Sequence, residues 1–405
     1  MKNLILIILF IFNLRPLFSG QNIYPLDSEY TKWAELLPKI KILKKQYPDL
    51  VKWEILGKTA TNHFPIYAIN ISDFSTKNGK PKIIIIGQHH SEEPVGIEIA
   101  YSLAETLCKR YNLQENITNL VNEFSWWIIP TINPEGMYYF QNGDYDHKRK
   151  NNSDTNKNGK FDLKYDGVDL NRNYDFNWNN NDHFSPESRY FPGFSSKSEK
   201  EIQIISKFMK EKSFQLAYFY HSSYSGNFSE MIFFPWKRDN VISYDYHKML
   251  DLAKIMQQKL PKDYEKSYYK IYSQDFAKRS LARDFIYANC GTLAFNIETC
   301  GIKNGIPIVF PNNKKMKKIV RKNINAIFAS AESYYENLTK ITVVDLKNRP
   351  LINEPYIFQN QKTKYPLHKT NDFGSIYIYK NREKFVKFRD ISYSINDTIH
   401  TFIKK

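Results

Sequence analysis

The sequence predicts an α/β fold, a mixed and mainly parallel sheet flanked by helices, followed by a small all-β sandwich. Three observations carry this. Apolar, β-branched or aromatic runs at Lys82–Ile86, Phe124–Ile129, Leu216–Tyr220 and Thr292–Ile297 read as buried strands. Stretches with helical spacing separate them, and from about Ile341 only strand-like runs divided by turn residues remain. With 405 residues, 42% hydrophobic and 16% aromatic, the chain is long enough to bury a large core, and disorder and collagen-like repeats are excluded. Three cysteines are too few for a disulfide framework, so that core stabilises itself.

The elements follow in order. Lys2, the apolar run Leu4–Phe12, the interruption Arg15-Pro16 and the small pair Ser19-Gly20 form the opening segment. The run is shorter than the ~20 apolar residues of a bilayer span. It therefore reads as a signal peptide over 1–20, with an uncleaved anchor as the alternative, and the mature chain is expected to be secreted or held in the periplasm or cell envelope. No later segment is apolar enough to span a membrane. Lys82–Ile86 is a strand covered on both faces, and a helix follows over Pro94–Tyr111 with Val95, Ile99, Leu103 and Leu107 on one side. Phe124–Ile129 is a strand ended by the turn Asn133-Pro134-Glu135-Gly136. Asp144–His183, rich in Asn, Asp and Lys and without periodicity, is a long loop of the kind that carries function. Ser196 and Glu199 form a capping box for a helix bearing Ile202, Ile205, Phe208 and Met209. A last helix spans Lys314–Tyr335. Strands are then expected at 341–344, 354–359, 374–379 and 384–388, as a separate sandwich or as a β-extension of the main domain.

Charge narrows the partners. Lys and Arg number 58 against 42 Asp and Glu, a net +16. The lysines are scattered rather than gathered, no nucleic-acid motif is present, and the reading is a solvated basic surface, with association to an anionic cell envelope left open. A monomer is expected.

Three predicted strands end in polar groups: His89-His90-Ser91-Glu92-Glu93 beyond the first, His221 beyond the third and Glu298 beyond the fourth. Ligands of open α/β sheets bind beyond the carboxyl ends of strands. An imidazole–carboxylate pair, a second imidazole and a separate carboxylate meeting there would suit a catalytic zinc with an open position for water and a general base beside it. Either His89 with Glu92 or His90 with Glu93 fits the spacing.

In this order the blocks resemble the funnelin zinc carboxypeptidases, the family of pancreatic-type and regulatory carboxypeptidases and their bacterial relatives. His90-Ser91-Glu92-Glu93-Pro94-Val95-Gly96 is similar to the family's HxxE-Pro-Val-Gly block. Tyr218–Ser225 is similar to the block of the third ligand, and Gly167-Val168-Asp169-Leu170-Asn171-Arg172-Asn173-Tyr174 is the most specific match. The resemblance implies zinc on His90, Glu93 and His221, and a substrate carboxylate on Asn171 and Arg172, the latter offering a bidentate fork. It also implies that Arg149 steadies the oxyanion. Asp284 precedes Glu298 by 14 positions, matching the family segment that makes Glu298 the general base. Arg283 falls where specificity is set, implying acidic C-terminal residues. The substrate-capping tyrosine falls on Phe276 by spacing and on Tyr272 by local sequence. Asp154, Asn156, Asn158 and Asp162 around Gly159 resemble a short calcium loop. Cys290 and Cys300 flank seven extended residues, about 23 Å at ~3.3 Å each, too far apart to bond, and Cys108 reads as a core residue.

The resemblance covers roughly residues 25–335, and the tail is similar to the transthyretin-like sandwich that follows some regulatory members. The implied organisation is a signal over 1–20, a catalytic domain over 21–338 and a β-sandwich over 339–405. With the signal ending at Gly20, no pro-domain of the size usual in pancreatic-type members is expected before the catalytic region. The implied activity is hydrolysis of the C-terminal bond of peptides or proteins. The alternatives are a peptidoglycan stem-peptide peptidase with the same chemistry and an inactive binding module that keeps the zinc site.

Overall fold

The computed structural model describes residues 30–404, apart from 77–78, 144–147, 181–183, 224–225, 239–240, 274–279, 346, 359–360, 362–364, 380–384, 389–390 and 395–400. The expected signal segment lies outside the described residues. Helix α1 (Trp33–Gln46) turns Leu36, Ile40 and Leu43 inward. An antiparallel hairpin of β1 (Val51–Lys58) and β2 (Pro65–Ile71) follows. Next come β3 (Lys82–Ile86), α2 (Val95–Arg110), α3 (Glu115–Glu123), β4 (Ser125–Ile129) and α4 (Pro134–Gln141). After the long loop come α5 (Lys200–Lys212), β5 (Leu216–Ser222), β6 (Met231–Phe234) and the two-residue ladder of β7 (Lys237–Arg238) and β8 (Val241–Ile242). Then follow α6 (Tyr246–Gln258), β9 (Lys270–Ser273), α7 (Ala282–Cys290), β10 (Leu293–Thr299), a second small ladder of β11 (Ile302–Lys303) and β12 (Ile306–Pro307), and α8 (Asn313–Glu336).

Eight strands make one sheet in the order β1-β2-β4-β3-β5-β10-β6-β9. Its centre, β4-β3-β5-β10, is parallel, and antiparallel pairs lie toward both edges. The isoleucine run explains why helices cover both faces. Ile83 and Ile85 enter a core shared with α1, α2, α3, α6 and α8, whereas Ile84 and Ile86 enter a second core with α5 and α7. Period-two alternation of a wholly apolar strand gives each face its own contact surface.

Two local expectations change. Asn133–Gly136 opens a helix instead of making a turn: Asn133 Oδ1 accepts the Gly136 N–H at 3.1 Å and Pro134 takes the first helical position. The Ser196–Glu199 capping box does not form. Glu199 is itself the N-cap of α5, its carboxylate is drawn to Asn151, Ser153 and Ser198, and Ser196 turns to Asp175. The described residues of 148–180 and 184–199 run irregularly, broken by two short 3-10 turns, Leu170–Arg172 and Trp178–Asn180.

Directly after α8 come β13 (Leu338–Asp345), β14 (Pro355–Phe358), β15 (His368–Lys369), β16 (Ser375–Tyr379), β17 (Phe385–Phe388), β18 (Ile391–Ser394) and β19 (Thr401–Lys404). They form a three-stranded and a four-stranded sheet, and Ile341, Val343, Tyr356, Phe358, Ile376, Ile378, Val386 and Phe388 make a core of their own. Cys108, Cys290 and Cys300 are free thiols. Among the described residues no helix is long and apolar enough to cross a membrane.

Candidate active site

Strand register brings the chemistry together. Glu298 on β10 stands directly opposite His221 on β5, and Ile86, the last residue of β3, pairs with Phe219 two positions before His221. The chain then turns over Gly87–His90 and enters α2. Gly87 and Gly96 meet where the start of α2 crosses the end of β3: a Cβ on Gly96 would overlap the Gly87 carbonyl oxygen. That close approach sets the four-residue arc bearing His90 and Glu93 beside His221.

The three side chains are buried, and their ligand atoms all lie within 4.8 Å of one another, the one such group among the described residues. His90 Nδ1 is 3.0 Å from Glu93 Oε1, and His221 Nδ1 is 3.0 Å from Glu93 Oε2. The other ring nitrogens are held from outside, His90 Nε2 3.0 Å from Asp169 Oδ1 and His221 Nε2 3.1 Å from Asn171 Nδ2. Two imidazoles turned inward by outer partners, with one carboxylate, fit zinc as a three-ligand site with an open fourth position. The competing register leads elsewhere: His89 Nε2 faces the Tyr174 hydroxyl at 2.9 Å, and Glu92 is ion-paired with Arg189.

Asp169 joins the parts of the site. It receives Arg149 Nε at 2.8 Å, faces His90, and accepts the Asn171 N–H at 3.0 Å, starting the short turn that carries Asn171 and Arg172. Asn171 Oδ1 accepts the Ala282 N–H at 2.9 Å, and the Arg172 carbonyl accepts from Ser280, so this turn is tied to α7, where Arg283 sits. Burial alone would raise the Asp169 acid; the guanidiniums of Arg149 and Arg172 outweigh it and hold it well below the usual carboxylate range. Glu93 shows the same contest, burial against the charge of His90 and hydrogen bonds from His221 and His90, and is also held low. Glu298 goes the other way. Burial, reinforced by the Glu93 charge, pushes it up to about 8 against the pull of Arg149, Arg283 and Arg172. Burial pushes His221 down to about 4, keeping its ring neutral and fit to bind a metal.

Arg283 is buried, with Nε 3.2 Å from Asp284 Oδ1 and its guanidinium 5.6 Å from the Phe233 ring. Tyr272 is half exposed on β9 and meets the same Phe233 edge-on at 5.8 Å. Phe276 lies outside the described residues. The 154–162 loop closes on itself: Asp154, Asn156, Asn158 and Asp162 accept backbone N–H groups of Asn158, Gly159, Lys160 and Lys164. Sequence reasoning left out the roles of Asp169, legible only as part of the Gly167–Tyr174 block, and of Tyr190. The Tyr190 ring lies 5.2 Å from the Arg149 guanidinium and 5.8 Å from those of Arg172 and Arg189. No motif marks it.

The profile of the zinc carboxypeptidase family matches residues 37–326, so the C-terminal sheets fall outside the matched region. Carboxypeptidase D of Mus musculus is 30% identical over 146 residues, 35% of this chain and 10% of that protein. Mast cell carboxypeptidase A of Homo sapiens is 24% identical over 248 residues, 60% of this chain and 55% of that protein. The chain thus spans from a tenth to about half the length of these curated relatives. The solved carboxypeptidase A of Helicoverpa armigera superposes with a TM-score of 0.64 at 20% identity, covering 75% of this chain and 73% of that one, a likeness of fold.

Proposed function

The chain belongs to the zinc carboxypeptidase family, and from this premise we propose that it removes the C-terminal residue of peptides or proteins outside the cell. The observation that carries the reading is the buried His90–Glu93–His221 group, whose His221 stands in strand register with Glu298, and which is linked through Asp169 to Arg149, Asn171 and Arg172.

His90, Glu93 and His221 would hold the zinc, which when bound would polarise the carbonyl and make a water more acidic. Glu298, opposite His221 on the neighbouring strand, takes a proton from the attacking water and returns it to the leaving nitrogen. Arg149, partly buried and oriented by Asp169, places its guanidinium where negative charge develops on the carbonyl oxygen. Asn171 and Arg172 hold the terminal carboxylate, which restricts cleavage to the last bond. Arg283 and Tyr272, both in contact with Phe233, border the pocket for the departing side chain, and the buried guanidinium favours Glu or Asp there. Export rests on the residue 1–20 pattern, and we assign catalysis to residues 21–338 and an accessory β-unit to 339–405.

The test is mass spectrometry of a peptide mixture with varied C-terminal residues, digested with and without a zinc chelator and with Glu298→Gln as control. Chelator-sensitive loss of single C-terminal residues, fastest for Glu and Asp and absent in the variant, is expected. Equal loss of Leu, Lys and Glu would remove the role of Arg283 and keep the activity. Internal cleavage would overturn the reading, and activity confined to muropeptides would transfer it to cell-wall stem peptides.

A further inference from the structure

A half-open cavity of about 150 Å³ adjoins the site, and Arg149 and Glu92 form part of its wall whereas Asn171, Arg172 and Arg283 do not. Its lining carries five cations, Lys148, Arg149, Lys150, Lys164 and Arg189, against three carboxylates; Arg149 is ion-paired with Asp169 and Glu93 and Arg189 with Glu92, so the excess of positive charge comes from the lysines. Two of the three lining carboxylates are already engaged. Glu92 is ion-paired with Arg189, and Asp166 accepts the backbone N–H groups of Thr155, Asn156 and Asp162. Lys150 Nζ donates to the Pro186 carbonyl at 2.6 Å and Lys164 Nζ to the Tyr165 hydroxyl at 2.8 Å, both neutral acceptors. Burial and the neighbouring Lys150 push Lys148 down to about 7, and burial pushes Lys150 to about 8. Like charges crowded in a partly enclosed space gain from an incoming anion, and the low-dielectric walls concentrate their field.

The place of the cavity selects the ligand. In the exopeptidase reading, on which this inference rests, the terminal carboxylate lies at Asn171 and Arg172 and the bond to be cut lies at Arg149. The cavity touches Arg149 but neither Asn171 nor Arg172, so in that reading it lies beside the cut bond and away from the terminal carboxylate, where the preceding residues of the peptide would be. We infer that this cavity is a subsite for an acidic side chain of the substrate within two or three residues upstream of the bond that is cut. The lysines and Arg189 would give it charge-assisted hydrogen bonds, so the substrate class narrows to peptides acidic near, as well as at, their C-terminus.

Binding and turnover test it separately. Fluorescent peptides that differ only in Glu, Ala or Lys at each of three upstream positions are titrated into Glu298→Gln by anisotropy, and the same peptides are given to the active protein. At one position Glu should bind ~10-fold more tightly than Ala, about 1.4 kcal/mol, and Lys more weakly than Ala. The preference should fall with added salt. It should shrink several-fold in Lys164→Gln, an exposed side chain whose loss leaves the fold intact, and vanish in Lys150→Gln/Lys164→Gln. Equal Kd values for Glu and Ala at all three positions, or an undiminished preference in Lys164→Gln, overturn the subsite. Turnover without discrimination sinks the subsite and leaves the exopeptidase reading. Discriminating binding without turnover overturns the exopeptidase reading and leaves the cavity as a site for acidic peptides with no place relative to a cut bond.

Discussion

The guanidinium groups of Arg149, Arg172 and Arg189 gather around the Tyr190 ring, and their mutual repulsion is opposed by Asp169 beside Arg149 and by Glu92 beside Arg189. The electron-rich ring offsets part of that repulsion, at roughly 0.5–1 kcal/mol per cation at a half-exposed site, and fixes the Arg149 and Arg172 forks before a peptide arrives. Replacing Tyr190 by Phe keeps the ring and should leave kcat/KM within about twofold. Tyr190→Leu should lower it ~3–10-fold, mainly through KM, with little change in melting temperature. A Leu variant as active as the Phe variant would show that the ring is only a wall. The same scale explains what sequence could and could not disclose. The gathering of His90, Glu93, His221 and Glu298 was legible because they stand at or just beyond the carboxyl ends of three strands, and those ends converge. His89-His90-Ser91-Glu92-Glu93 allowed two registers, which separate only through long-range partners: Tyr174 for His89 and Arg189 for Glu92. Tyr190 belongs to no pattern, because its function depends on three arginines from distant parts of the chain.

At the scale of elements, α2 and β3 are the pair on which the metal ligands hang. Gly96 is in the first turn of α2, and any side chain there meets the Gly87 carbonyl and, at 2.9 Å, the Tyr220 Cβ, one residue before His221. Both obstacles are backbone or strand-bound, so neither yields cheaply. Gly96→Ala should destabilise the protein by about 1–3 kcal/mol or more and, by pushing the helix off the strand end, weaken zinc retention in dialysis against a chelator. Unchanged unfolding and metal retention would show that α2 can slide. Sequence periodicity located this helix within a residue at each end because its buried face is continuous. It failed at Asn133–Gly136 and Ser196–Glu199, where the same polar residues suit a turn, a cap or a tertiary hydrogen bond, and only the neighbours decide.

The whole molecule joins the large sheet to the C-terminal sheets through contacts that titrate. Leu367 N–H donates to the Ala288 carbonyl, Tyr244 stacks on Phe358, and His368 lies against Gly291, whose φ of +68° and missing Cβ leave room for the ring. His368 is buried, stacked on Tyr356 at 5.1 Å, and its Nε2 has no hydrogen-bond partner. The charges that face it are Asp245, which favours its protonation, and Lys248, which opposes it. Burial dominates and pushes its pKa down from 6.5 to about 4. An unfolded histidine takes its proton near 6.5, so the stability given by the neutral ring is complete above pH 6.5 and is lost as pH falls toward 4. The loss is on the order of 3 kcal/mol across that window. Urea unfolding at several pH values should therefore show the wild type weakening between pH 6.5 and 4 more steeply than His368→Phe, which keeps an aromatic ring and cannot charge. Amide exchange in the C-terminal sheets should rise over the same range before that of β3 and β5, because the charged ring opposes the docked arrangement and not the central core. Parallel pH curves for the two proteins would assign acid sensitivity to other groups and leave His368 as packing alone.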